Sequence, residues 1–211
     1  MRGRHDRHAS IVALVRVGLF GGTFDPPHIG HLLVASDAVE ELALDRLLFI
    51  PTACQPLKRD RVMAAPAHRL AMTELLVAGD PRFAADAVEI DRGGLSYTVD
   101  TLAALAERAP ADERFFLLGA DAWRTFPKWR DPAGVMRLAT VVVMQRGGGG
   151  EEHTTGAPRV LATRRIDVSS TEIRARVRAG RSIRGFVPDA VRAYIERTGL
   201  YREDGHAETT D

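Results

Sequence analysis

The sequence predicts an α/β fold in which a doubly wound, mostly parallel sheet carries helices on both faces. Apolar, β-branched stretches alternate along the chain with segments whose apolar residues recur at helical spacing. This alternation is typical of βαβ units, which cover a parallel sheet on both sides. A length of 211 residues is enough to bury a sizeable core.

Each element follows from its local pattern. Strands are predicted over 14–20, 45–51, 83–90, 114–119, 140–144 and 159–163. Helices are predicted from near His28 to 42, over 67–78, 98–108, 170–179 and 188–198, with short pieces around 121–126 and 132–138. The stretches 52–65 and 146–158 are polar and irregular, and 91–94 is predicted to be a turn. The last two helices close the fold.

These elements occupy residues 14–202, which we expect to form a single domain. Residues 1–13 are either a disordered extension or the product of an over-long gene model, and residues 203–211 are expected to be a disordered tail. The first ten residues are basic but have no long apolar core, which argues against a signal peptide.

Composition excludes several classes of protein. A net charge of +1 gives no general attraction to nucleic acid, so any anion site is expected to be local. The single cysteine, Cys54, excludes an internal disulfide and a thiolate metal cluster. No apolar run is long enough to span a bilayer. We therefore expect a cytoplasmic protein without nucleic-acid or membrane partners, and leave open whether it forms a homo-oligomer.

The most informative stretch is Gly-Gly-Thr-Phe-Asp-Pro-Pro-His-Ile-Gly-His, residues 21–31. It lies between a buried strand and a helix, where free backbone N–H groups and the helix dipole suit a phosphate. Gly21 and Gly22 let the backbone approach a ligand, and His28 and His31 share one helix face. Two glycines after a strand are more often an ordinary turn, and two histidines at this spacing often mark only an exposed helix start. Their combination in one stretch favours phosphate binding.

A second stretch with phosphate chemistry is Val-Ser-Ser-Thr-Glu-Ile-Arg, residues 168–174. Ser169 with Glu172 fits a capping box, which needs no function. Ser170, Thr171 and the free amides can also hydrogen-bond a phosphate, and Arg174 lies one turn further along the same helix.

These stretches resemble known signatures. Residues 21–31 resemble the signature of the H-x-G-H nucleotidyltransferases, and residues 169–174 resemble the S-S-T-x-I-R signature of nicotinate-nucleotide adenylyltransferases. The likeness to the latter family extends from about residue 14 to 201. It implies a Rossmann-like fold and transfer of the adenylyl group of ATP to nicotinate mononucleotide, giving nicotinate adenine dinucleotide and pyrophosphate.

The resemblance also implies site residues. ATP would be bound by Gly21, Gly22, Thr23, Phe24, His28, His31, Asp121, Ser169, Ser170, Thr171 and Arg174, with Asp121 in the G-x-D element on the adenosine side. The acceptor would be bound by Tyr97, Thr98, Trp129 and Arg146, with Trp129 of the P-x-W element stacked on the pyridine ring. Catalysis would fall to His28, His31, Lys58 and Arg174.

Two further expectations concern charge. Unpaired N–H groups near Tyr97 and Thr98, at a helix start after two glycines, favour an acceptor carboxylate over an amide. Mg²⁺ is expected to bind with ATP, held mainly by phosphate oxygens, because the motifs contain no carboxylate cage for a metal.

The sequence departs from the family at Gln55-Pro56-Leu57-Lys58, where Leu57 replaces the usual histidine but the basic residue is kept as Lys58. Two other functions stay open. Pantetheine-phosphate adenylyltransferases share the first motif, although the Tyr97, Trp129 and Ser169–Arg174 matches weigh against them. A nucleotide sensor without turnover is the other alternative, disfavoured because the histidines and the acceptor residues are all present.

Overall fold

The computed structural model describes residues 14–54, 64–146 and 158–202, with the backbone alone at residue 146. Within these ranges the strands are β1 (Arg16–Gly22), β2 (Arg46–Pro51), β3 (Phe83–Ala85), β4 (Glu113–Gly119), β5 (Thr140–Arg146) and β6 (Arg159–Thr163). All six form one sheet in the order β3-β2-β1-β4-β5-β6. Every pairing between them is parallel.

The helices of the described ranges lie between and after these strands. They are α1 (Ile29–Glu41), α2 (Pro66–Val77), α3 (Val88–Arg92), α4 (Thr98–Arg108), α5 (Ala120–Thr125), α6 (Pro132–Leu138), α7 (Ser170–Arg178) and α8 (Asp189–Thr198), with a 3₁₀ turn at Phe126–Lys128. None of them is long and apolar enough to cross a membrane.

Two apolar clusters cover the two faces of the sheet. On one face, buried residues of α1, α2, α7 and α8 pack together, among them Ala38, Met72 and Ile173. On the other, α4 and α6 contribute Leu102 and Val135. The predicted doubly wound sheet with helices on both faces is therefore confirmed.

The predicted strand over residues 83–90 is wrong in its second half. The strand ends at Ala85, and α3 occupies Val88–Arg92, so two residues of the predicted turn belong to a helix. The carboxylate of Asp86 accepts a hydrogen bond from the Val88 N–H at 3.0 Å, which starts the helix. The turn itself lies at Gly93 and Gly94, whose φ angles of 68° and 66° favour glycine.

The sheet order reverses at β1. This strand pairs with β2 on one side and with β4 on the other, and β4 follows only after β2 and β3 along the chain. In open parallel sheets, ligands bind in the crevice outside the carboxyl ends of the strands at this kind of reversal. A ligand site is therefore expected at the residues that follow β1 and β4.

Candidate functional site

A cavity of about 390 Å³ lies at this point of the sheet. Its wall includes Gly21, Gly22, Tyr97, Thr98, Asp121 and Trp129. The structure thus brings together residues that the resemblance placed on the ATP side and on the acceptor side. The stacked rings of His28 and His31 and the start of α7 lie beyond Gly22 and do not line this cavity, so the described residues form a site with two neighbouring parts.

In the first part, His28 and His31 form a stacked pair at the start of α1. His28 is the N-cap, with an extended backbone (φ −147°, ψ 171°). Its backbone N–H donates to Nδ1 of His31 at 3.1 Å, and the two ring centroids are 3.7 Å apart. Because Nδ1 of His31 accepts, the proton of the neutral ring is on Nε2, which can donate to a ligand. The His31 side chain remains partly accessible.

Both histidines are neutral without a ligand. Burial lowers the pKa of His28 to about 4. The pKa of His31 lies well below its usual value, mainly through burial and then through repulsion by a charged His28. Nδ1 of His28 is buried and has no hydrogen-bond partner among the described residues. A bound anion would favour protonation of this pair.

Two glycines make room for the pair and its support. A Cβ at Gly30 would lie 3.0 Å from Nδ1 of His28, so a side chain there would press on the imidazole. A Cβ at Gly22 would lie 2.9 Å from Cζ of Phe24. The ring of Phe24 is buried and meets the His31 ring edge-on at a centroid distance of 5.0 Å. Phe24 therefore supports His31, and its side chain is turned away from solvent.

The start of α7 docks on the loop that precedes His28. Oγ of Ser170 donates to the carbonyl of Pro26 at 2.8 Å, and the guanidinium of Arg174 donates to the carbonyl of Asp25 at 2.7 Å and to Oγ1 of Thr171 at 3.3 Å. Oγ of Ser169 accepts from the Glu172 N–H at 3.1 Å and so caps the helix, which is one of the two hydrogen bonds of the predicted capping box. These contacts place a hydroxyl-rich helix start beside the two histidines.

A buried polar network, which sequence reasoning missed, holds the same loop. Arg69 is 1% exposed and donates to the carbonyls of Thr23, Ala53 and Ala64 at 2.8, 3.1 and 3.1 Å. Arg69 occupies the same helix face as the buried residues Met72, Thr73 and Leu76. A charged residue in such an apolar stripe must find buried partners, and this is the signal that could have identified it.

Asp25 is the other centre of that network. It is 2% exposed, and its Oδ1 accepts hydrogen bonds from the Tyr201 hydroxyl at 2.7 Å and from the Ala64 N–H at 3.2 Å. Burial and the nearby Asp25 charge raise the pKa of Tyr201. The tyrosine therefore stays protonated and remains a donor.

In the second part, aromatic rings line the cavity. The indole of Trp129 packs against Phe116 and Phe126, with centroids 6.2 and 5.4 Å away, and its N–H donates to Oγ1 of Thr125 at 3.2 Å. The guanidinium of Arg130 lies 4.8 Å from the centroid of the Tyr97 ring. These partners fix the orientation of both rings.

The N-terminus of α4 opens into the same cavity. Tyr97 is its N-cap, with no side-chain cap, and Thr98 is its first residue; both line the cavity. The first N–H groups of a helix have no partners within the helix, so they point toward the cavity end of α4 as donors. Asp121 stands at the rim with its side chain 94% exposed and pairs with Arg124 at 3.0 Å.

Glu89 is a further residue that the sequence analysis missed. It lies in α3, is 6% exposed and contributes to the cavity wall. Its Oε1 accepts from the Thr101 hydroxyl at 2.7 Å, and its Oε2 is buried with no partner in the described part of the chain. Burial raises its pKa, against the opposing effect of the Ser96 and Thr101 hydroxyls and of Arg92 and Arg69. The sequence analysis predicted a strand over this segment and therefore did not identify Glu89 as a buried residue of the site.

Two predicted site residues lack described side chains. Lys58 and the surrounding Gln55–Lys58 stretch, with Leu57, lie outside the described residues. Arg146 ends β5, at the carboxyl edge where the site lies, but only its backbone is described. Their predicted roles stay predictions.

Comparison with known proteins identifies the family of the chain. The sequence model of the Cytidylyltransferase-like family matches residues 19–176. A Gemmatimonas aurantiaca protein named "Probable nicotinate-nucleotide adenylyltransferase" is 50% identical over 198 residues, covering 90% of this chain and 93% of its own. A Thermus thermophilus protein of the same name is 49% identical over 189 residues, covering 89% of this chain and 100% of its own.

Solved structures share the fold. The Plasmodium falciparum nicotinic acid mononucleotide adenylyltransferase complexed with NaAD superposes with a TM-score of 0.69 at 17% identity, covering 89% of this chain and 97% of the other. A Vibrio parahaemolyticus structure described as a putative nicotinate-nucleotide adenylyltransferase gives a TM-score of 0.67 at 20% identity, with 90% and 97% coverage. At these identities the likeness supports the architecture.

Proposed function

Since the chain belongs to the nicotinate-nucleotide adenylyltransferase family, a group of nucleotidyltransferases of NAD biosynthesis, we propose that it transfers the adenylyl group of ATP to nicotinate mononucleotide. The products are nicotinate adenine dinucleotide and pyrophosphate. The observation that carries this proposal is the arrangement of the two parts of the site around Gly21 and Gly22. On one side lies the start of α1, whose helix dipole and two histidines suit a phosphate. On the other side lies the cavity lined by aromatic rings and by the start of α4.

The reaction needs no covalent enzyme intermediate. An oxygen of the acceptor phosphate attacks the α-phosphorus of ATP, a new P–O bond forms, and the bond to the departing pyrophosphate breaks in line with it. Two anions must be brought together, so catalysis consists of positioning and of hydrogen bonding to the charge that develops on the phosphate oxygens.

We assign the reacting phosphates to the first part of the site. The N–H at Nε2 of His31 donates to an oxygen of the α-phosphate, and His28, N-cap of the same helix, faces the α- and β-phosphates. Ser170, Thr171 and Arg174 hold the pyrophosphate from the start of α7. Lys58 supplies a further cation to the reacting phosphates.

The other proposed ATP contacts depend on which side chains are exposed and which are buried. Gly21 and Gly22 carry the backbone close to the nucleotide, and Thr23 and Phe24 contribute through their backbone, since the Phe24 ring is buried under His31. Ser169 acts on the pyrophosphate by capping α7. Asp121, exposed at the rim, accepts hydrogen bonds from the ribose hydroxyls of the adenosine.

We place the acceptor in the aromatic cavity. The pyridine ring stacks on Trp129, and its carboxylate accepts hydrogen bonds from the first N–H groups of α4, at Tyr97 and Thr98. We also assign Arg146 to the acceptor phosphate. An amide in the place of the carboxylate would turn its NH₂ group toward donors without an acceptor, so the acid is preferred.

Mg²⁺ enters with ATP, held mainly by phosphate oxygens, which suit a hard cation. When bound, it neutralises part of the phosphate charge. In the described ranges, no three His, Cys, Asp or Glu side chains come together as a metal-binding group. We further propose that the reaction takes place in the cytoplasm, where both nucleotides are available, and that ATP and nicotinate mononucleotide are the main partners, with no nucleic acid among them.

The test is a pyrophosphate-release assay with Mg-ATP and three parallel acceptors: nicotinate mononucleotide, nicotinamide mononucleotide and phosphopantetheine. Release with the nicotinate acceptor, well above release with the amide, supports both the reaction and the role of the α4 start. Equal use of acid and amide would contradict that role alone. Turnover of phosphopantetheine without either pyridine nucleotide would overturn the proposed function.

A further inference from the structure

Glu89 occupies an unusual position in the cavity that we assign to the acceptor. It lies in the wall with Ser96, Tyr97 and Thr98, so it flanks the helix start where the acceptor carboxylate is proposed to bind. It is also nine-tenths buried, which is rare for a carboxylate that is not fully paired.

The hydrogen bonds of Glu89 satisfy only one of its oxygens. Oγ1 of Thr101 lies 2.7 Å from Oε1 of Glu89 and 3.3 Å from the carbonyl oxygen of Tyr97, so its single proton is donated over the shorter distance to Glu89. The Arg92 guanidinium donates to Oγ1 of Thr101 at 3.0 Å and reaches Glu89 through that hydroxyl. Oε2 is buried and has no partner within the described residues, a costly arrangement unless a proton or a ligand completes it.

The surrounding charges compensate Glu89 only in part. Arg92 on α3 and Arg69 on α2 favour its ionised form, as do the hydroxyls of Ser96 and Thr101, yet burial outweighs them and raises the pKa. Among the described residues, the guanidinium of Arg69 donates its hydrogen bonds to the backbone carbonyls of Ala64, Thr23 and Ala53. The other charged side chains of the cavity, Asp121, Lys128 and Arg130, are exposed at its rim and are screened by solvent.

We propose that Glu89 is a specificity-determining residue, whose carboxyl group takes up a proton from solvent when an acceptor carboxylate binds beside it. The inference rests on the proposed function, since it places that carboxylate at the start of α4. Two carboxylates that share a poorly hydrated site cannot both stay ionised at low cost, and one retains a proton. The neutral carboxyl group then lies beside the bound carboxylate without charge repulsion, which is the basis of the selectivity.

The sign of the effect follows directly. An acid acceptor binds together with a proton, so its binding weakens as the pH rises. A neutral amide acceptor adds no charge, so its binding takes up no proton at Glu89. The preference for acid over amide therefore falls as the pH rises, by up to about tenfold per pH unit between the pKa of free Glu89 and its value in the acid complex.

The experiment compares the KM of nicotinate mononucleotide with the inhibition constant of nicotinamide mononucleotide at about pH 6.5 and about pH 8.5. Both ligands carry the same phosphate, so its own titration cancels in the ratio. In the unchanged protein the ratio of acid KM to amide inhibition constant rises with pH. In Glu89→Gln, which keeps an oxygen for Thr101 and supplies an N–H donor without charge, the ratio is flat and the acid KM at the higher pH falls below that of the unchanged protein.

Two further variants keep the test decisive. Glu107→Gln removes an exposed charge from the other end of α4 and is expected to behave as the unchanged protein. Thr101→Val removes the donor to Oε1, which favours the protonated form of Glu89. The ratio is therefore expected to rise at higher pH than in the unchanged protein. This variant tests the inference even if Glu89→Gln does not fold. A ratio that is constant with pH in the unchanged protein, or that rises equally in Glu89→Gln, overturns the inference. Absence of turnover with nicotinate mononucleotide would instead overturn the proposed function.

Discussion

The hydroxyl of Tyr201 donates a 2.7 Å hydrogen bond to Oδ1 of Asp25, joining residues that are 176 positions apart in the chain. Asp25 lies in the loop that Ser170 and Arg174 also hold, directly before His28. The position of the histidine pair thus depends on side chains that come from distant parts of the sequence.

Tyr201→Phe removes this hydrogen bond without changing the packing of the ring. A buried carboxylate loses a partner, so the free energy of unfolding is expected to fall by about 1 to 3 kcal/mol. Denaturation in urea measures it. Tyr194→Phe is the matched control because its hydroxyl bonds the less buried His68, and we expect a smaller loss there. Equal losses would contradict the special role of the Asp25 contact.

His31→Asn tests the roles of the two ring nitrogens of His31 separately. The Asn side chain can still accept the His28 N–H, but it has no donor at the place of Nε2. We expect kcat to fall about 10²- to 10³-fold with little change in either KM, as for the loss of a transition-state donor. Circular dichroism and thermal unfolding check the fold. A kcat within tenfold of the unchanged protein would show that this nitrogen does not touch the reacting phosphates.

The neutral His28 makes stability depend on pH. The unfolded chain binds the His28 proton below its ordinary pKa of 6.5, whereas the folded chain binds it only below about 4. Between these values acid favours the unfolded chain, so the free energy of unfolding falls as the pH falls, by about 2 kcal/mol from pH 7 to pH 5 from this group alone. Urea unfolding of His28→Gln at both values should show a correspondingly smaller fall, and an unchanged pH dependence would argue against a buried neutral ring.

Trp129→Ala removes the proposed platform for the pyridine ring. Loss of stacking is expected to raise the KM of nicotinate mononucleotide about tenfold or more, while the KM of ATP changes little. Trp129→Phe keeps a flat but smaller ring and loses the N–H bond to Thr125, so it should retain more of the affinity than Trp129→Ala. Steady-state kinetics with each substrate varied decide the matter; equal increases in both KM values would place Trp129 outside the acceptor subsite.

Much of the fold could be predicted because local and long-range signals agree. The buried strands and the long helices carry clear periodicity, and the structure differs from those predictions mainly at the ends of elements. The segment after Ala85 misled the prediction because Val88 and Ile90 continue an apolar alternation. The hydrogen bond from the Val88 N–H to Asp86 and the bond from Thr101 to Glu89 favour a helix there, and the second depends on a neighbour twelve residues away.

The motif residues could be placed near the strand ends, but their contacts could not. Sequence spacing gives no reason for Ser170 to bond the carbonyl of Pro26, because the two meet only when α7 packs on the sheet. Arg69 and Asp25 escaped attention for the same reason. The burial of Arg69 could be inferred from its helix face, but the backbone carbonyls that it contacts could not, and neither could the contacts of Asp25 with Tyr201 and Arg174.

The central place of β1 in the sheet sets an order of events during synthesis. This strand can pair with β2 as soon as the first βαβ unit has left the ribosome, but its other edge stays open until β4 emerges, more than ninety positions later in the chain. The nascent chain can therefore present a formed glycine turn and helix start while the crevice still has only one wall. Nucleotide bound at that stage would lack the wall built by α4 and Trp129, so tight binding can begin only after most of the sheet has been translated.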